Sequence, residues 1–158
     1  MAVIAIPSPL GPIALHAQDG ALTTLRWLAP GETVTRSTSA SDGALLDTAA
    51  GQLAAYFAGR LKAFDLPLAP AGTPYQQQVY RALRAIPFGQ TRRYGELAAE
   101  LGSAAQPVGQ ACGSNPLPVF IPCHRVLAAN GAGGFSARGG IESKIFLLKL
   151  EKAWPWLV

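Results

Sequence analysis

Cysteine and histidine are scarce in this chain, with two of each in 158 residues. Cys112 and Cys123 are too few for a disulfide framework, and with His16 and His124 they make a poor ligand set for structural zinc. No apolar run reaches the ~18 residues that a bilayer-spanning helix needs. The opening MAVIAIPSPLGP has no basic stretch and no cleavage pattern, so no secretory leader is expected. A cytoplasmic protein with Cys123 as a reduced thiol follows from that. Charge is also thin: thirteen Lys and Arg against nine Asp and Glu leave a net +4. Such a surplus favours a polyanion, nucleic acid above all, although many small soluble proteins carry as much without one. The charges are scattered, which excludes a basic tail. There is no internal repeat and no low-complexity tract.

What is present is apolar residue, 49% of the chain, enough to bury a core. AVIAI, PIALHAQ and ALTTLRWL are short runs separated by Pro, Gly or QDG, which predicts a small antiparallel sheet. PGETVTRSTSASDG is polar and turn-rich and is expected to be a loop. Leu46, Ala49, Ala50, Leu53, Tyr56 and Phe57 recur at helical spacing and end at Gly59, a predicted C-cap. FDLPLAPAG is an extended connector. Beyond it the texture turns helical. Thr73 is placed as an N-cap with Pro74 at the first helical position, and Val79, Leu83 and Ile86 share a face. Thr91 is a candidate cap for a short helix ending at AELG, and AAQPVGQACG follows as another. The pair fits a helix-turn-helix, a pattern that many helical proteins contain. IESKIFLLKLEKAW predicts a last amphipathic helix with Ile145, Leu148 and Trp154 available for packing. The expected class is α+β: an N-terminal α/β lobe of antiparallel sheet plus helix over 1–70, mainly scaffold, then a mostly helical lobe over 71–158.

Chemistry concentrates in NPLPVFIPCHRVLAANG, where three prolines close in on Cys123 with His124 beside it. A thiol is nucleophilic as thiolate, and an imidazole in reach can take its proton. In an ideal strand the two side chains would point apart, but Pro122 rules out a simple central strand and a turn would bring them together. The competing interpretation makes Cys123 a small buried hydrophobe and His124 a satisfied core histidine. For the adjacent pair alone, both stand.

The surroundings form an ordered set. GTPYQQQVYRAL, IPFGQTRRYGELAAELG, NPLP, IPCHRV, GGFSARGG and LLKLE follow one another through the second half, with PLGPIAL and LAAYFAGRLKAFDLPL as looser matches in the first. In these residues the chain resembles the O6-alkylguanine-DNA alkyltransferases, the methylated-DNA–protein-cysteine methyltransferases. The resemblance implies direct-reversal DNA repair: an alkylated guanine is flipped out of duplex DNA through the minor groove, and its alkyl group moves irreversibly to Cys123, once per molecule. O4-alkylthymine is a second candidate substrate. It implies His124 as base through a bridging water and Glu151 as its orienting carboxylate. Asn115 would tie the recognition helix to the reactive turn, and Tyr94 would donate to the flipped base. The carbonyls of Cys123 and Val126 would accept from the guanine amine, while Phe135 and Ser136 wall the pocket. Tyr94, Ala105, Gln106, Gly109 and Ser114 would meet DNA, with Ala111 also small enough for close approach. The partner implied is double-stranded DNA containing alkylated guanine, met by a monomer that needs no cofactor, no metal and no membrane.

Two departures from the family pattern stand out. Gln106 occupies the place of an arginine that intercalates where the base leaves the stack, and Pro107 after it suggests a late helix start. GGFSARGG is two residues longer than the shorter family version. Cys112 is expected as apolar filler on the recognition helix. Outside the binding and transfer of alkylated bases, a cysteine hydrolase would want a distant histidine and an oxyanion hole, which the adjacent His124 fits poorly. A damage sensor without transfer lacks the acceptor cysteine, which Cys123 supplies.

Overall fold

Three strands, β1 (Ala2–Ile6), β2 (Ile13–Gln18) and β3 (Ala21–Trp27), pair antiparallel in the order β1-β2-β3 in the computed structural model, which describes residues 2–129, 131–135 and 140–153. β2 and β3 are joined by Asp19 and Gly20, both at positive φ (51° and 80°), the backbone that a two-residue hairpin turn requires. The register slips between His16 and Ala17, leaving Thr23 as an extra residue on β3. Helix α1 (Ala40–Phe57) lies against all three strands and buries Leu46, Ala49, Leu53 and Tyr56.

α1 starts earlier than the polar stretch before it suggests, since residues 40–43 are helical rather than loop. The Ser39 hydroxyl accepts from the Asp42 N–H at 3.4 Å, and Asp42 places a negative charge in the first turn. At the other end the C-cap is Ala58, and Gly59, at φ 77°, sits one residue beyond the cap position expected for it. Its N–H donates to the Tyr56 carbonyl at 3.0 Å, and the Arg60 N–H donates to Ala55 at 2.8 Å. These elements belong to the first of two compact units, Met1–Ala71; the second is Gly72–Val158.

In the second unit α2 (Pro74–Arg84) opens on the cap that its sequence predicts. The Thr73 hydroxyl accepts from the Gln76 N–H at 3.1 Å, while the Gln76 side chain accepts from the Thr73 N–H at 2.9 Å. Thr91 does not cap the next helix. Arg92–Arg93 form β4, which pairs in parallel with β5 (Val126–Leu127), so α3 begins at Tyr94 and runs to Leu101. The Arg93 N–H donates to the Glu96 side chain at 2.8 Å, and Gly102 (φ 63°) ends the helix. α4 (Ala105–Gly113) follows, packed on α2 and α3. It starts two residues before Pro107, which sits in the first turn where a missing N–H loses no helical bond. α5 (Ile141–Leu150) buries Ser143, Lys144, Leu147 and Leu148; Ile145 is half-buried rather than central, and Trp154 lies outside the described residues. Among the described residues no helix is long and apolar enough to cross a membrane.

Candidate active site

The proline-rich segment between α4 and β5 sets a rigid turn. Just past α4, Asn115 is buried and braces it at two points: its Nδ2 donates to the Ile121 carbonyl at 2.8 Å, and its Oδ1 accepts from the Leu117 N–H at 2.9 Å. Between them Val119 is held at φ 75°, a left-handed conformation unusual for a β-branched residue, with its side chain fully packed. Prolines 116, 118 and 122 restrict the chain on either side of that strained residue. A single 3₁₀ turn then presents Cys123, His124 and Arg125, all buried.

Cys123 lies on a cavity of about 300 Å³ whose other walls are Tyr94, Gly109, Cys112, Gly113, Gly134 and Phe135. Burial pushes its thiol above the usual value, opposed by a hydrogen bond from Asn115 and by the charge of Lys144. A buried neutral thiol needs a base to become a nucleophile. His124 stands next to it, wholly buried, with Nε2 2.7 Å from Glu151 Oε2. A carboxylate accepts only, so Nε2 carries the hydrogen and Nδ1 carries the lone pair; among the described residues Nδ1 has no hydrogen-bond partner. Burial lowers the pKa of this imidazole, with Glu151 pulling it back up. The turn therefore brings together an un-ionised thiol, a neutral imidazole with one vacant nitrogen, and a carboxylate that would stabilise imidazolium.

Three residues of the site carry weight that the sequence reading missed. Arg125 donates from Nε to Glu151 Oε1 at 2.8 Å and from Nη2 to Oε2 at 3.0 Å. Lys144 has no exposed surface, and burial lowers its pKa to about 8. Its Nζ donates to the Gly134 carbonyl at 3.1 Å and to the Tyr94 hydroxyl at 3.4 Å. Gly133, at φ 78°, leaves room for Tyr94: a Cβ there would fall 2.9 Å from its ring. A signal for Lys144 does exist, since Lys144, Leu147, Leu148 and Glu151 follow helical i, i+3, i+4, i+7 spacing and are all buried.

Of the sequence candidates, the structure gathers Tyr94, Gly109, Cys123 and Phe135 on the cavity, with His124, Glu151 and Asn115 supporting the turn. Cys112, on α4, forms part of the cavity wall, with burial pushing its thiol up to about 12. Val126 is buried in β5 and its N–H donates to the Cys123 carbonyl, but it is not among the cavity walls. Ala105 and Gln106 are exposed on the first turn of α4, away from the cavity. Ser114 caps α4 and borders a second cavity of about 270 Å³ with Thr73, Tyr75, Gln76, Pro107, Gln110 and Ala111. Ser136 lies outside the described residues. Among the described residues no three His, Cys, Asp or Glu side chains converge as metal ligands.

Two family models match the chain: "6-O-methylguanine DNA methyltransferase, ribonuclease-like domain" over residues 1–70 and "6-O-methylguanine DNA methyltransferase, DNA binding domain" over residues 74–153. The methylated-DNA–protein-cysteine methyltransferase of Mycobacterium tuberculosis is 44% identical over 151 residues, covering 94% of this chain and 90% of its own. The constitutive methylated-DNA–protein-cysteine methyltransferase of Bacillus subtilis is 41% identical over 152 residues, covering 92% of each chain. A solved structure of Mycobacterium tuberculosis OGT in complex with DNA superimposes with a TM-score of 0.80 at 44% identity, covering 94% of this chain and 91% of that one.

Proposed function

The chain belongs to the 6-O-methylguanine DNA methyltransferase family, and from that premise we propose that it repairs duplex DNA by moving the alkyl group of an O6-alkylguanine onto Cys123, once per molecule. The observation that carries this assignment is the buried His124–Glu151 pair, 2.7 Å apart, with Nδ1 unpaired among the described residues and the neighbouring residue, Cys123, on a cavity.

The Cys123 proton passes to His124 Nδ1, through a water where the atoms do not touch, and the Glu151 carboxylate stabilises the imidazolium. The thiolate attacks the alkyl carbon from the side opposite O6. The S–C bond forms as the C–O6 bond breaks, and the electron pair moves into the purine. A saturated carbon needs no oxyanion hole, so catalysis reduces to ionising the thiol, aligning it and neutralising the leaving base. Tyr94 donates its hydroxyl proton to the purine, which leaves as neutral guanine. Burial holds that phenol well above its ordinary pKa, so a bare phenolate there is unfavourable. Lys144, whose Nζ is 3.4 Å away, offsets that charge by giving up a proton of its own.

The base reaches the cavity by rotating out of the duplex, a step that costs a few kcal/mol of lost stacking and pairing. Helix α4, the second of the pair, would lie in the minor groove, with Gln106 at its exposed first turn filling part of the gap. Glutamine can pair with the orphaned base but brings no charge, so binding should depend less on salt than with an arginine there.

The test is intact mass after incubation with a duplex oligonucleotide carrying one O6-methylguanine. One methyl adduct per chain, mapping to Cys123 and absent from Cys123→Ser, is the expected result. No adduct on folded, reduced protein sinks the assignment of transfer.

A further inference from the structure

The Glu151 carboxylate accepts from both His124 and Arg125. Oε1 accepts from Arg125 Nε at 2.8 Å, while Oε2 accepts from both Arg125 Nη2 at 3.0 Å and His124 Nε2 at 2.7 Å. The guanidinium is fixed on its other side, where Nη1 donates to the Ile86 carbonyl at 2.6 Å and the Phe88 ring centroid lies 6.0 Å away. All three charged or titratable side chains are buried, so water screens none of these contacts.

We propose that Arg125 is a positioning residue that sets the pH at which the Cys123–His124 pair ionises, by sharing Oε2 of Glu151 with the imidazole. A buried carboxylate requires a compensating cation. If Arg125 were absent, His124, already hydrogen-bonded to Oε2, could supply one. An imidazolium beside Cys123 would draw the thiol toward thiolate at a lower pH. With Arg125 in place the carboxylate is already compensated, and its pull on the imidazole proton is weaker. Less of the thiol is then ionised before substrate arrives, which limits its loss to stray electrophiles entering the cavity. The other groups acting on the pair are Asn115, whose hydrogen bond lowers the thiol pKa, Lys144 from α5 and Glu151 at the end of α5. Cys123 in turn couples to Tyr80, Tyr94 and Cys112. Lys144 acts on His124 in the same direction as Arg125, and both oppose Glu151.

Arg125 has this role in repair only if Cys123 is the acceptor, as proposed above, but thiol ionisation can be followed without DNA. The measurement is the rate of Cys123 carboxamidomethylation by iodoacetamide between pH 5 and 9, mapped by peptide mass so that Cys112 is scored separately. Wild type is compared with Arg125→Met and Arg125→Lys, with a thermal melt of each. Arg125→Met should move the midpoint down by about one pH unit, about tenfold more thiolate at a given pH below it. Arg125→Lys keeps the cation but loses the fork, so it should shift the same way by less; it carries the test alone if Arg125→Met does not fold. An unchanged midpoint, or slower labelling in a folded variant, overturns the proposal, because a mere strut for Glu151 would weaken the base rather than strengthen it. A labelling shift without methyl transfer from DNA would leave Arg125 as assigned and sink the repair function instead.

Discussion

Among the described residues of Met1–Ala71 the buried side chains are apolar: Ile4, Ile13, Leu15, Leu22, Leu25, Leu46, Leu53 and Tyr56 make the core, and the ion pairs Arg26–Glu32 and Arg36–Asp47 stay at the surface. Gly72–Val158 has an apolar core too, but it also buries Asn115, His124, Arg125, Ser143, Lys144 and Glu151. Taking an ion out of water costs several kcal/mol, and a buried ion pair is often no more stable than a hydrophobic replacement of equal volume. The second unit therefore carries polar groups that folding does not need. What they hold in place is the His124 imidazole, bonded through Nε2 to Glu151, in the same turn as Cys123. One unit spends its sequence on stability, and the other gives some stability up for placement.

The strongest way to break that contrast is to remove one carboxylate from each unit. In Glu151→Gln the amide presents an N–H donor toward the Arg125 and His124 donors, leaving Arg125 buried without a counter-ion. A loss of about 3–5 kcal/mol in denaturant unfolding is expected, together with a fall in methyl-transfer rate of about 100-fold or more. Asp47→Asn removes an exposed partner of Arg36 and should leave a change too small to resolve by melting. Equal losses at the two sites would dissolve the distinction between the units.

Lys144 sharpens the contrast, because its pH dependence has a definite sign. Its folded pKa is near 8 against an ordinary 10.5, so between those values the unfolded chain binds the extra proton. The penalty for burying the ammonium is complete below about pH 8 and fades as pH rises toward 10.5. Lys144→Met, an unbranched replacement, should be more stable than wild type by up to about 3 kcal/mol at pH 7. That advantage should shrink as pH is raised through the window. Transfer should slow at least tenfold, since Tyr94 loses its neighbouring proton source. Lys144 also draws down both thiols, so in the variant Cys112 and Cys123 should rise further. That change is confined to higher pH and leaves the comparison at pH 7 to the lysine. A variant that is less stable at pH 7 would mean that the ammonium's contacts to Gly134 and Tyr94 outweigh its desolvation.

The sequence makes some of this visible and hides the rest for physical reasons. The three strands, the Asp-Gly hairpin, the Thr73–Gln76 cap and the Gly59 helix end rest on contacts within a few residues, and local pattern reveals them. Cys123, His124 and Glu151 were accessible through resemblance of an ordered motif set, not through spacing. Arg125 stood inside the quoted motif, but its partner is 26 residues away and no local rule pairs them. Lys144 is hidden by its residue type, since lysine is expected at the surface, although its place in the 144, 147, 148, 151 stripe marks it as inward-facing. The start of α3 was misplaced because the β4–β5 pairing that displaces it is a long-range contact. Residues 40–43 read as loop because they continue a polar run rich in Ser and Thr, and nothing in that local pattern marks Ser39 as the cap.

The smallest effect contrasts two glycines with almost the same backbone. Gly59 (φ 77°) and Gly133 (φ 78°) both hold the left-handed conformation, so alanine at either carries a similar strain of about 1 kcal/mol. Their surroundings differ. A Cβ on Gly59 meets nothing within 4 Å, whereas one on Gly133 falls 2.9 Å from the Tyr94 ring and 3.2 Å from its hydroxyl. Gly59→Ala should therefore lower stability by the backbone cost alone and leave transfer unchanged. Gly133→Ala should lose about 1–2 kcal/mol more through the clash, and transfer should slow because Tyr94 must move from Lys144 and from the base. If Gly133→Ala transfers methyl at the wild-type rate, the Tyr94 hydroxyl does not need the position it holds here, and its part in neutralising the leaving base fails with it.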